Sequence, residues 1–179
     1  MLIVFIIAAL VVGVDQLTKF LAVSALYPDG SVDVIKGVFR FTYVENRGAA
    51  FGSFTDSRWV FLVLSTLLIL AMIGYTVWKR PKGWLICSSL GMLIGGGIGN
   101  MIDRIFLGYV VDFLDFCAFP ELWKWVFNVA DAFVCIGTAL LIIWLLKYDD
   151  SSKAVKEDAV ADTESPEEET DGNKDDEAE

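Results

Sequence analysis

Two aspartates set the chemical question. Asp131 lies six residues into Val126–Leu146, a run of 21 residues that carries no other charge. A carboxylate inside a stretch long enough to cross a bilayer is costly, and such groups mark functional sites. Asp112 stands 19 residues earlier, in Val110-Val111-Asp112-Phe113, with Asp103 and Asp115 nearby in sequence. The chain has no histidine. That excludes Ser-His-Asp and Cys-His nucleophiles and the His-Glu-x-x-His zinc proteases. Acid–base work near neutral pH then falls to paired carboxylates, which cannot both ionise when brought close and so share a proton. The ionised member takes a proton from water, and the protonated member donates to the carbonyl oxygen or leaving nitrogen. Such a pair cuts an amide without metal or covalent intermediate, and its titration belongs to the pair. Spacing alone leaves Asp103, Asp112 and Asp115 all open as the partner of Asp131.

Other polar phrases surround these acids. Asn128 precedes Asp131 by three residues, which puts the two on one helical face, and Asn100, Asp103 and Arg104 share a face by the i, i+3, i+4 spacing. Asp15 and Lys19 are four apart, so on a helix they can pair and lower the cost of burying charge. A structural pair is the favoured reading, because an already satisfied acid is a poor base. Asn46-Arg47-Gly48-Ala49-Ala50-Phe51-Gly52 combines an amide able to hold a peptide main chain with small residues that admit close approach, or else is a tight turn. Gly91, Gly95 and Gly99 recur every four residues beside Gly96 and Gly97, a stripe suited to close helix packing in lipid. Asn100, Asp103 and Arg104 read equally well as structural support or as substrate contacts.

The elements that must position these groups are membrane spans. Trp59–Trp78 is 20 residues without a charge and Trp84–Ile102 is 19. With Val126–Leu146 they give three spans, each near the roughly 20 residues a helix needs to cross. Leu2–Val14 reaches spanning length only by continuing to about Ala25, which carries Asp15 and Lys19 into the membrane. A cleaved signal peptide would need a basic leading segment and an unbroken apolar core, and Asp15 interrupts it. The expected fold is therefore a mainly α membrane protein with four transmembrane helices. Trp59, Trp78, Trp84 and Trp125 fall at the predicted ends, where interfacial aromatics belong. Between the first two spans, Phe39, Phe41 and Tyr43 alternate with Arg40, Thr42 and Val44 after Pro28-Asp29-Gly30. That predicts a small antiparallel sheet outside the membrane. The dense Lys79-Arg80-Pro81-Lys82 loop favours cytoplasmic termini, although bases counted on the two sides are equal, six against six.

Composition separates a membrane domain, 1–148, from an acidic tail, 149–179. The 179 residues are 55% hydrophobic. The tail holds 14 acids and three lysines, a net of −11, while the first 148 residues net +1. The tail is therefore read as disordered, solvated and cytoplasmic, and the overall charge says nothing about partners of the folded part. Cys87, Cys117 and Cys135 lack metal-type spacing and have no histidine to join them, so neither a metal nor another cofactor is expected.

In order along the chain stand Asp-Gln-x-x-Lys at 15–19, Asn-x-Gly-Ala-Ala-Phe at 46–51, Gly-Asn-x-x-Asp-Arg at 99–104, Val-Val-Asp-Phe at 110–113 and Phe-Asn-x-Ala-Asp at 127–131. Together they resemble the lipoprotein signal peptidases, the type II signal peptidases of bacteria, over roughly residues 2–146. The resemblance implies an intramembrane aspartic endopeptidase of the bacterial cytoplasmic membrane, with its site at the extracytoplasmic face. It implies a diacylglyceryl-modified prolipoprotein substrate, cut just before the lipidated cysteine, with membrane lipid as a partner and globomycin-type inhibitors. No nucleic acid is expected. The family's catalytic aspartates fall on Asp112 and Asp131. Asn46, Gly48, Asn100, Arg104 and Asn128 match substrate-binding positions, and Asp15, Lys19 and Asp103 match supporting ones. The acidic tail has no counterpart in that pattern. Rival readings are a proton or cation transporter using Asp15 and Asp131, a metal-dependent head-group transferase, and an assembly factor without chemistry. The first leaves the clustering of polar phrases at one membrane face unexplained. The second lacks Asp-x-x-x-Asp ligand motifs.

Overall fold

In a computed structural model, residues 1–48, 58–118, 121 and 125–163 are described. Among the described residues, four helices are long and apolar enough to cross a membrane. They are α1 (Leu2–Leu26), α2 (Arg58–Lys79), α3 (Trp84–Phe106) and α4 (Val129–Thr163). The first continues through Asp15 and Lys19 as expected, and both are buried. The connection from α2 to α3 follows local chemistry. Arg80, with φ 45°, precedes Pro81, which cannot continue a helix, and α3 starts after Gly83.

The third helix is the hub, because its glycines face its neighbours on different sides. A Cβ on Gly91 would meet Cβ of Ile7 at 2.7 Å, and one on Gly95 the carbonyl oxygen of Ala8 at 2.7 Å, both on α1. At Gly96 it would stand 2.6 Å from the Ala130 carbonyl of α4, and at Gly97 3.1 Å from the Ile69 tip of α2. Lipid tails are as apolar as leucine, so helices in a bilayer gain little from simple burial. Close van der Waals approach and polar contacts must hold them together. The sequence stripe thus does more than line one seam. One apolar cluster follows from it: Val4 and Ala8, Ile69, and Ile86, Leu90 and Ile94, with Leu141 and Trp144 packed against them.

Outside the helices lies a four-stranded antiparallel sheet in the order β1-β2-β3-β4. Its strands are β1 (Ser31–Ile35), β2 (Phe39–Asn46), β3 (Val110–Phe116) and β4 (Val126–Phe127). The first two come from the connection between α1 and α2, where alternation predicted them. The other two come from the connection between α3 and α4. Strand β3 escaped the alternation test because Val110 to Phe113 are all buried, and a strand covered on both faces reads as a continuous apolar run. Alignment runs from Phe39 opposite Phe116 to Asn46 opposite Val110, with a register shift between Phe41 and Val44. Tyr43, Val111 and Phe113 pack onto Ala22 and Leu26 at the end of α1, which seats the sheet on the helices.

One boundary differs from expectation. The run Val126–Leu146 is not wholly helical: Val126 and Phe127 are strand, and α4 begins at Val129. Asn128 stops the helix there, because its side-chain oxygen accepts from the Asp131 N–H at 2.9 Å. Helix α4 runs to Thr163, and residues 164–179 of the expected tail lie outside the described residues, as do 49–57.

The hub geometry predicts a contrast between two glycines. Gly95→Ala forces α3 from α1 and should destabilise by about 1–3 kcal/mol. Gly74→Ala on α2, where an added Cβ meets nothing within 4 Å, should be neutral or stabilise by up to about 1 kcal/mol. Thermal unfolding in detergent checks this, and equal midpoints for the two variants would contradict the packing role.

Candidate active site

The site is built where α1, α3, α4 and β3 meet, and a buried lysine is its centre. Lys19 Nζ lies 3.0 Å from Asp15 Oδ2 and 2.9 Å from Asp103 Oδ2, and donates to Asn100 Oδ1 at 2.9 Å. All four groups are buried. The i, i+4 spacing put Asp15 beside Lys19, as the sequence suggested. Asp103 joins them because α3 continues past Ile102, keeping Asn100 and Asp103 on one face.

Each carboxylate of this cluster also holds a backbone. Asp15 Oδ1 accepts from the Ala130 N–H at 2.9 Å, capping the start of α4 from another helix. A helix N-terminus presents unpartnered N–H groups and a positive dipole end, so a carboxylate there satisfies both needs. Gly99 makes this possible, since a Cβ at that position would stand 2.5 Å from Asp15 Oδ2. Asp103 Oδ2 accepts from the Val111 N–H at 3.1 Å, pinning β3 one residue before Asp112. The supporting residues thus grip the two segments that carry Asp112 and Asp131.

Asn128 joins those two aspartates. Its Nδ2 donates to Asp112 Oδ1 at 2.6 Å and to Asn100 Oδ1 at 3.1 Å. Its backbone N–H donates to Asp131 Oδ2 at 3.3 Å while its Oδ1 accepts from the Asp131 N–H. This is a reciprocal capping box with aspartate in the acidic place. Asn128 is therefore a cap rather than a same-face neighbour within the helix, which corrects the reading from helical spacing. The remaining carboxylate oxygens are also held. Asn46 Nδ2 donates to Asp112 Oδ2 at 2.8 Å, and Asn100 Nδ2 to Asp131 Oδ1 at 2.7 Å. The Asn46 oxygen accepts from the Gly48 N–H at 3.1 Å, which fixes which end of the amide faces Asp112. Arg104 donates to the Asn100 carbonyl at 3.4 Å and lies 5.8 Å above the Phe61 ring.

The three acids left open by spacing go to different places. Asp103 is taken by Lys19 and the β3 backbone. Asp115 is taken by its cross-strand neighbour Arg40, at 2.6 Å, with Thr42 at 3.3 Å. Asp112 alone of the three shares Asn128 with Asp131. Asp112 is buried and its carboxyl is pushed up to about 7, first by that burial and second by the charge of Asp131. Asp131 is half-buried. A proton on Asp112 beside an accessible carboxylate is the arrangement needed to donate and accept protons on one bound group. Sequence reasoning gave no role to Gln16, whose Nε2 donates to Asp103 Oδ1 at 3.0 Å. Its place next to Asp15 was the available signal. Among the described residues no three histidines, cysteines or acids gather as metal ligands.

Lys19→Met leaves two buried carboxylates without their cation and should lower stability by about 3–5 kcal/mol. A thermal midpoint in detergent equal to that of the parent protein would refute this account of the cluster.

Known proteins share the pattern. The family described as signal peptidase (SPase) II matches residues 7–147. The lipoprotein signal peptidase of Caldanaerobacter subterraneus subsp. tengcongensis is 48% identical over 136 residues, covering 76% of this chain and 90% of that protein. That of Halothermothrix orenii is 44% identical over 142 residues, covering 79% and 94%. Among solved structures, a bacterial membrane enzyme determined by the in meso method at 2.3 Å superposes with a TM-score of 0.75 at 32% identity, covering 84% of this chain and 90% of that one.

Proposed function

The chain belongs to the signal peptidase II family, and from that premise we propose an aspartic endopeptidase that removes the signal peptide of diacylglyceryl-modified prolipoproteins. Membership supports a membrane-embedded peptidase acting on prolipoproteins. The finer reading is that cleavage falls just before the lipidated cysteine, with Asp112 and Asp131 as the catalytic pair. The observation that carries it is Asn128 bonded to both carboxylates, with Asp112 buried and its carboxyl raised to about 7.

In this mechanism Asp131, the more accessible acid, takes a proton from water, which attacks the scissile carbonyl carbon. Asp112 gives its proton to the carbonyl oxygen, forming a diol. As the C–N bond breaks, Asp131 passes the proton it took from water to the leaving nitrogen, and a diol hydroxyl returns its proton to Asp112. Asn46 and Asn128 hold both oxygens of Asp112 and so fix the direction of its proton. Asn100 and Arg104, from α3, are assigned with Gly48 to the substrate main chain. The substrate's lipid stays in the bilayer while its scissile bond meets the pair at the interface, beneath the sheet. We place the sheet and the pair at the extracytoplasmic face and both termini in the cytoplasm, on the strength of the basic 79–82 loop. Globomycin-type cyclic peptides would compete for the same space. Membrane-impermeant labelling of Lys36→Cys from outside, and of Lys82→Cys only after permeabilisation, checks this orientation; the opposite pattern reverses it.

Cleavage of a diacylglyceryl-modified prolipoprotein peptide by the purified protein tests the chemistry. Asp112→Asn and Asp131→Asn should each lower kcat by about 100- to 10,000-fold with the fold intact, whereas Asp115→Asn keeps most activity. The same assay has a pH signature. Asp112 must hold its proton, so kcat/KM declines on the alkaline side of a midpoint near 7. Its folded value lies above the ordinary carboxylate value, so protonation favours the fold and stability also falls as pH rises through that region. A rate independent of pH from 6 to 9, or full activity in either asparagine variant, rules the pair out.

A further inference from the structure

We propose that Gln16 is a positioning residue for the reaction: its amide sets the two carboxylates that aim Asp112 and Asp131. This rests on the assignment of that pair as catalytic. Gln16 Nε2 lies 3.0 Å from Asp103 Oδ1, 3.2 Å from Asp15 Oδ2 and 3.2 Å from the Gly99 carbonyl oxygen. One NH2 group therefore spans the seam between α1 and α3 and touches both acids of the lysine cluster.

The division of labour within the cluster shows why this matters. Lys19 takes one oxygen of each acid, Oδ2 of Asp15 and Oδ2 of Asp103. Those acids use Asp15 Oδ1 to hold the Ala130 N–H and Asp103 Oδ2 to hold the Val111 N–H. A carboxylate gripped at one oxygen can still swing about that contact. Gln16 supplies the second point on Asp103, at Oδ1, and reinforces Asp15 at Oδ2. Its bond to Gly99 anchors the amide to the α3 backbone, so both acids are referenced to one rigid element. Ala130 and Val111 each precede a catalytic aspartate by one residue. Rotation of either acid therefore shifts the backbone that carries a reacting carboxyl.

The charge at this point selects an amide. Two carboxylates, Asp15 and Asp103, face a single ammonium, Lys19, with Asn100 completing the surroundings from α3. A neutral donor adds hydrogen bonds without adding charge. A third carboxylate in its place would repel both acids, and burial makes that repulsion strong. An apolar isostere would leave Asp103 Oδ1 without this partner.

Gln16→Leu should lower kcat for the lipidated peptide by about 10- to 100-fold, the scale of a small misplacement of reacting groups. KM should stay within about twofold, because no substrate contact is removed. Gln16→Glu gives the second readout. Ionised, the introduced carboxyl repels Asp15 and Asp103; protonated, it donates one hydrogen bond as the amide did. Its kcat relative to the parent enzyme at the same pH should therefore climb as pH falls from 8 to 5.5, while the ratio for Gln16→Leu stays flat. If Gln16→Leu does not fold, the pH ratio of Gln16→Glu carries the test. Parent kcat in Gln16→Leu, a loss confined to KM or the thermal midpoint, or a flat ratio for Gln16→Glu overturns the proposal. Full activity of Asp112→Asn would instead remove the pair itself, a separate and distinguishable failure.

Discussion

A buried ammonium between two buried carboxylates is the interaction on which the rest of this structure depends. Lys19 contacts Asp15 and Asp103 at about 3 Å, in a region where unpaired charge is strongly disfavoured. The attraction offsets the cost of burial only because every group is also hydrogen-bonded. That requirement recruits the backbone. The free oxygen of Asp15 finds the first turn of α4, and Asp103 finds the amide before Asp112. Charge neutralisation in α1 and α3 thereby fixes the starting points of a helix and a strand that have no covalent closeness to each other.

The glycines of α3 are the steric counterpart of this cluster. A side chain at Gly99 would occupy the place of the Asp15 carboxylate, and one at Gly96 the place of the Ala130 carbonyl. Polar satisfaction and close packing are thus the same constraint seen from two sides. In lipid neither can be replaced by generic apolar burial, so small residues and buried polar groups occur together along one short stretch of α3.

The sheet contributes precision at the opposite edge. Strand β2 brings Asn46 against Asp112, and the pairing of Arg40 with Asp115 occupies the other acid of β3. Two aspartates three residues apart in one strand therefore have unlike surroundings. One forms a partly exposed ion pair, and the other is buried beside a second carboxylate. The proposed chemistry rests on that difference in environment, which residue type alone does not supply.

The four spans, the acid–base pairing of Asp15 with Lys19, and the first hairpin were legible in the sequence, because each is governed by local periodicity. Run length reports a membrane helix, i, i+4 spacing reports a shared face, and alternation reports a half-covered strand. The membership of β3 and β4 in the sheet was not legible, since a strand buried on both faces loses alternation and two residues carry no period. The start of α4 was misjudged because hydropathy does not register a cap, and Asn128 ends the strand by binding the Asp131 amide. Composition could not choose among Asp103, Asp112 and Asp115. That choice is tertiary: only the fold decides which acid is neutralised by lysine, which by arginine, and which meets Asp131 across a shared asparagine.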